Sequence, residues 1–198
     1  GFKSLDSIST EWDELLKTEV DLGDTSNERI TAIQVSQNPA NVPYYGTNLG
    51  NIYRIDNSNM GDNEPVLIKS RDFTDGSYVS SISIDPNDAS NVIMCFSNYN
   101  VRSIFHTTNS GETWNQVGGN LEVNEFGTGA SPAINVVKII EYNGKKAYLA
   151  GTSIGLYMTT ELNGMGTVWQ QEAENTIGYN NVFTLDSRSL DGYTVVGT

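Results

Sequence analysis

A run of β-branched and aromatic residues returns in this chain about every fifty positions, and that spacing constrains the fold more than any other feature. Ile30-Thr31-Ala32-Ile33-Gln34-Val35, Val79-Ser80-Ser81-Ile82-Ser83-Ile84, Asn135-Val136-Val137-Lys138-Ile139-Ile140 and Asn181-Val182-Phe183-Thr184-Leu185 stand 49, 56 and 46 residues apart. Each leads into a polar turn, such as Asp85-Pro86-Asn87-Asp88, and then into a second apolar run, at 44–47, 92–96, 147–152 and 193–198. A third run follows a short Gly-containing turn at 50–55 and 155–159. Trp12, Trp114 and Trp169 mark a fourth position; their gaps of 102 and 55 residues leave one tryptophan missing near Pro65-Val66. Runs of this composition bounded by Gly, Asn, Asp and Pro are strands and turns. Four strands per unit, at a period of about forty to fifty residues, is the signature of a β-propeller. The two inner strands of each unit are apolar almost throughout, as befits strands buried between neighbouring blades. The outer strand, for example Trp169-Gln170-Gln171-Glu172, alternates and faces water.

The best-formed turn of the repeat is Thr107-Thr108-Asn109-Ser110-Gly111-Glu112-Thr113-Trp114. A tight hairpin needs residues that accept positive φ or bond their own backbone. Gly111 does the first without steric cost, and Asn109 and Ser110 do the second. The hydroxyls of Thr107 and Thr113 flank the turn and satisfy its backbone groups. Trp114 opens the next strand and is expected to pack its indole back over the hairpin. Read as S/T-x-D/N-x-G-x-T-W, the stretch resembles the Asp-box, with Asn109 where Asp is usual. Residues 159–169 resemble a degenerate box with extra residues, and 56–61 a weaker one. On these turns and the four registered runs, the chain resembles the BNR/Asp-box propeller superfamily, which includes sialidase, xyloglucanase, sortilin and photosystem-stability-factor propellers. The resemblance covers nearly the whole chain. It gives Thr107, Asn109, Gly111, Thr113 and Trp114 a structural role.

The units are a blade end at 1–22, blades at 27–70, 77–118 and 133–173, and a blade start at 181–198. Two arrangements fit three whole units and two partial ones. The chain is a segment of a larger ring, or residues 181–198 and 1–20 complete one blade and close a four-bladed ring, which removes exposed sheet edges. The first is favoured, because propellers of the resembled type usually have six or more blades.

Charge narrows the partners. With 24 acidic and 11 basic residues, the net charge is −13. Nucleic-acid partners need clustered Lys and Arg, and anionic lipid repels such a surface. No apolar stretch approaches the length of a membrane span. The composition suits a secreted or cell-surface protein. Its wealth of Asn, Gly, Ser and Thr resembles surface proteins of Bacteroidetes-type bacteria, which carry such propellers ahead of a C-terminal sorting domain for type IX secretion and act in adhesion. Cys95 lies mid-strand without a partner cysteine and reads as a small buried hydrophobe.

Chemistry is sparse. One His and one Cys cannot supply a zinc set, and 56–62 lacks the regular oxygen spacing of a calcium loop, so no metal or cofactor is expected. His106, on the strand entering the turn, reads as a packing residue. A nucleophilic triad has no frame. Asp72, Asp75, Glu122 and Glu125 fall in loops of one face, where a two-carboxylate glycosidase would place its acid and base. The five arginines, Arg29, Arg54, Arg71, Arg102 and Arg188, do not match the sialidase motif.

Recognition is better supported. Phe73, Tyr99, Phe126 and Tyr179 are aromatics in loops that could be wholly polar, and Arg102 stands near Tyr99. Aromatic faces beside Asn, Asp and Arg suit sugar rings or extended peptides. The Gly-rich segment 118–133 is the best candidate for a functional insertion. The leading expectation is a non-catalytic recognition or scaffold module that binds a protein or glycan, with other chains of a surface or secretion assembly as further candidate partners. The alternative is a glycoside hydrolase whose active site lies partly outside this segment. A third reading, an assembly factor like the photosystem II stability factors, lacks their arginine-rich patch.

Overall fold

In a computed structural model, which describes residues 27–60, 63–188 and 191–198, the repeated runs form antiparallel strands. Trp12, the blade end at 1–22, and Gly61 and Asp62 lie outside the described residues. Strands β1 (Ile30–Gln37), β2 (Ala40–Thr47), β3 (Ile52–Arg54) and β4 (Val66–Leu67) pair in chain order into one sheet. So do β5 (Val79–Asp85), β6 (Asp88–Phe96), β7 (Ile104–Thr107) and β8 (Asn115–Gln116). A third sheet holds β9 (Ile134–Tyr142), β10 (Lys145–Thr152), β11 (Gly155–Thr159) and β12 (Gln170–Glu172); β13 (Thr184–Arg188) and β14 (Tyr193–Gly197) pair alone. The first strands of successive sheets are neighbours, β1 beside β5, β5 beside β9 and β9 beside β13, so the sheets fan out from a common inner edge. This is the arc of a β-propeller: three four-stranded blades and two strands of a fourth.

The alternation of side chains along β6 shows how the arc is held. Val92, Met94 and Phe96 turn to the first blade and join Tyr44, Ile52, Phe105 and Trp114 in one core. Ile93 and Cys95 turn the other way and pack with Ile104, Val137, Ile139 and Trp169 against the third blade. A strand sandwiched between two sheets has no face on which a polar side chain could reach water, which is why this segment reads as a continuous apolar run. Each such side chain, fully buried, contributes roughly 1.5–3 kcal/mol.

Small side chains set the distance between blades. A Cβ on Gly46 would lie 2.3 Å from Cγ1 of Val79 on the next blade, and one on Gly151 would lie 2.6 Å from Cγ1 of Val182 on the next. The inner strands are also stitched by hydrogen bonds. Thr31 Oγ1 donates to the Val79 carbonyl (2.7 Å) and Asn135 Nδ2 to that of Val182 (2.9 Å). Ile84 N–H donates to Gln34 Oε1 (3.3 Å), and Ile139 N–H to Ser83 Oγ (2.9 Å). Inner-edge N–H groups unused by their own sheet are thereby satisfied by the preceding blade.

The turn at Thr107 is a closed hydrogen-bond frame. The Thr107 hydroxyl accepts from Asn109 N–H (3.3 Å) and Gly111 N–H (3.1 Å) and donates to Asn109 Oδ1 (2.8 Å). Asn109 Oδ1 also accepts from Thr113 N–H (3.0 Å), and its Nδ2 donates to Thr113 Oγ1 (2.9 Å). Ser110 shares the left-handed backbone with Gly111, at φ 61° and 87°. Gly111 is required twice over, because a Cβ there would lie 2.6 Å from Ile68 Cδ1. The indole of Trp114 reaches beyond its own hairpin: Nε1 donates to the Ile68 carbonyl of the preceding blade (2.9 Å). Trp169 repeats the bond one blade later, to the Val117 carbonyl (2.9 Å).

Candidate functional site

One end of the arc carries the loops joining second to third strands and the connections between blades. In the first and third blades the former loop is tight. Thr47 Oγ1 accepts from Leu49 N–H (3.3 Å), and Thr152 Oγ1 from Ile154 N–H (3.0 Å), each holding a turn over its own strand end. The second blade has Phe96-Ser97 at this point and a longer loop, 97–103. It also gives rise to the extended connection 117–133.

The structure brings these two departures from the repeat together. Gly127, at φ 72°, lies flat on the 97–103 loop, and a Cβ there would sit 2.2 Å from the Val101 carbonyl carbon. Gly129 N–H donates to Asn100 Oδ1 (3.3 Å), and Arg102 Nε donates to the Glu125 carbonyl (2.9 Å). The connection is braced from below by Asn124, whose Oδ1 accepts from Phe126 N–H (2.9 Å) and whose Nδ2 donates to the Thr128 carbonyl (2.9 Å). Tyr99 (64% exposed), Val123 and Phe126 (63%) stand on the surface so formed. Apolar side chains held in water by a braced loop are a surface suited to contact.

Arg102 knits the loops. Besides the Glu125 carbonyl, it engages Asp72 Oδ1 through Nη1 (3.1 Å), tying in the connection from the first blade. Two aromatics do not belong to this surface. Phe73, expected among the ligand-facing rings, is 5% exposed. Its ring meets Phe96, Phe105 and Trp114 edge-on at 5.4, 4.8 and 5.7 Å, so it is a core residue dropped from the loop into the junction of two blades. Tyr179 is 70% exposed but stands on the connection after the third blade, beside Tyr157.

Three of the four loop carboxylates are engaged within the fold. Asp72 pairs with Arg102, and Asp75 with Lys69 at 2.5 Å. Glu122 is buried. Its Oε1 accepts from Ser103 N–H (2.7 Å) and its Oε2 from Gln116 Nε2. Burial pushes its pKa up, against the pull of those bonds. A raised pKa is what a general acid needs, but both oxygens are occupied within the fold. The carboxylate also fills the space a side chain on Gly118 would take. Of the four, Glu125 alone is exposed with its carboxylate unengaged by the described residues. Among those residues no group of three His, Cys, Asp or Glu side chains could hold a metal.

A second polar cluster lies at the junction of the second and third blades, and no local spacing in the sequence announces it. Asp85 is fully buried and accepts from Asn87 N–H (2.9 Å), Asn91 Nδ2 (2.8 Å) and Lys146 Nζ. Asn91 Oδ1 in turn meets His106 Nε2 at 2.7 Å, and the imidazole lies edge-on to Tyr148. Burial, then the Lys146 ammonium, pushes the His106 pKa down to about 4. The cluster is a fastener, with every partner supplied by the two blades.

No protein-family model matches the chain, and no curated protein matches its sequence. Solved structures do match its shape. YCF48 bound to a D1 peptide aligns with TM-score 0.50 and 15% identity, over 91% of this chain and 54% of that one. YCF48 from Cyanidioschyzon merolae aligns with TM-score 0.50 and 12% identity, over 82% and 48%. An ancestral GH74 enzyme aligns with TM-score 0.50 and 20% identity, over 73% and 18%. The chain thus spans about half the length of the YCF48 structures and under a fifth of the GH74 enzyme. At these identities the likeness is one of fold, and the fold is the propeller.

Proposed function

We propose that this chain is a recognition module of an Asp-box propeller, binding a protein or a glycan through the loop face on its second blade, without catalysis of its own. One observation carries the reading. The two places where the second blade departs from the repeat, 97–103 and 117–133, dock on each other and together raise Tyr99, Val123 and Phe126 into solvent. The tight loops of the first and third blades close the same strands with less apolar exposure, Leu49 at 37% and Ile154 at 41%, and with no aromatic ring, so folding does not require rings this open to solvent. That one matching propeller has a peptide bound makes such a use of the fold familiar. The acid excess and the wealth of Asn, Gly, Ser and Thr support a secreted or cell-surface setting.

The test is a display screen in parallel formats, random peptides and a glycan array, against wild type and the double variant Y99A/F126A. The expected result is a set of ligands retained by wild type and lost by the variant. Ligands that survive the double substitution, or none in either format, would overturn the assignment to this face. Fractionation of the source cells tests the setting: the protein is expected outside the cytoplasm.

A further inference from the structure

We propose that the loop face takes a basic polypeptide segment, its Lys or Arg side chains laid over Tyr99 and Phe126 and drawn by Glu125. The inference rests on the reading of that face as the binding surface and names its partner. Three observations support it. The exposed rings present π-faces, which attract ammonium and guanidinium groups. Of the charges beside them, Arg102 is paired with Asp72 at 3.1 Å and hydrogen-bonded to the Glu125 carbonyl at 2.9 Å, while the Glu125 carboxylate next to Phe126 is exposed and open to a cation. The net charge of the whole chain, −13, favours cationic partners over anionic ones at long range. A neutral glycan would gain nothing from that field. Arg71, exposed beside Asp72, is the one cation of the region without a partner among the described residues, and it opposes a basic ligand.

The experiment uses three matched nonapeptides, Lys/Arg-rich, Glu-rich and uncharged, with fluorescence anisotropy at low and moderate salt. The basic peptide is expected to bind and the other two are not. Y99A/F126A is expected to weaken it about tenfold, the size of the effect when two cation–π interactions are removed together. E125Q is expected to weaken it less, R71A to tighten it, and added salt to weaken it in every protein. Both rings are exposed, so the double variant keeps its fold, checked by circular dichroism. If basic-peptide binding is unchanged by Y99A/F126A, the attraction is bulk charge and the inference fails. If the uncharged peptide or a glycan binds in a Tyr99- and Phe126-dependent way and the basic peptide does not, the face stands and its basic partner falls. If no probe depends on the two rings, both readings fall together.

Discussion

The buried cluster around His106 makes stability depend on pH in a way that can be worked out in advance. His106 is 8% exposed and the chain has a single histidine. Its pKa falls from 6.5 to about 4 on folding, because burial disfavours the imidazolium and Lys146 lies nearby, with Asp85 opposing them weakly. The folded state therefore holds a neutral ring that the unfolded chain protonates more readily. Stability from this group is whole above pH 6.5 and is lost as pH falls through the window from 6.5 to 4. At about 1.4 kcal/mol per unit, the loss is about 3 kcal/mol. Glu122, whose pKa is raised by burial, has the opposite sign, since its cost grows as pH rises. A difference between two proteins removes that term. Urea unfolding of wild type and H106Q at about pH 7.5, 6, 5 and 4 is expected to give curves that converge by about 3 kcal/mol toward the acid end. Because there is one histidine, its Cε1–H proton resonance in the folded protein reports the same value directly. A resonance that titrates at the ordinary histidine value, or a gap between the two proteins that does not change with pH, would refute the argument that the ring is held neutral between the blades.

Two further outcomes follow from the turn and its tryptophan. N109D keeps both acceptor roles of Asn109, with the Thr113 hydroxyl turning to donate, and is expected to change stability by under about 0.5 kcal/mol. N109A forfeits bonds to Thr107 and Thr113 and is expected to cost about 2 kcal/mol; thermal unfolding separates the two, and equal losses would mean that the frame does not hold the turn. W169F strands the buried Val117 carbonyl and leaves a void. It is expected to cost about 3 kcal/mol by chemical denaturation, against a loss near zero if the indole bond is incidental.

Much of this architecture is legible in the order of residues because each blade repeats the demands of the last. A run rich in β-branched residues recurs at the inner position of each unit, so β1, β5, β9 and β13 can be placed by spacing alone, although β5 and β9 lie between two sheets while β1 and β13, at the ends of the described arc, keep exposed positions. Trp114 and Trp169 are visible for the same reason, although their reach to the preceding blade is not, since the acceptor is a backbone carbonyl and leaves no mark on residue type. Phe73 looks like a surface ring in the sequence because Arg71, Asp72, Thr74 and Asp75 give its loop a polar character. Its burial comes from Phe96, Phe105 and Trp114, which stand 23 to 41 positions away. Asp85, Asn91, His106 and Lys146 form no motif, because two different blades contribute them. The meeting of 97–103 with 117–133 is the intermediate case. Each is visibly long, and Gly127 and Gly129 hint at a close approach, but only the folded strands show what they approach.

The direction of the tryptophan bonds has a consequence for synthesis. The indole of Trp114 closes on a carbonyl 46 residues upstream, and that of Trp169 on one 52 residues upstream. A blade leaving the ribosome therefore has its last strand uncapped until the next blade's tryptophan emerges. At about 5–20 residues per second, that wait is several seconds, far longer than a hairpin needs to form. Each blade serves in turn as the unfinished end of a growing stack, sealed from behind like a roof tile by the course laid after it.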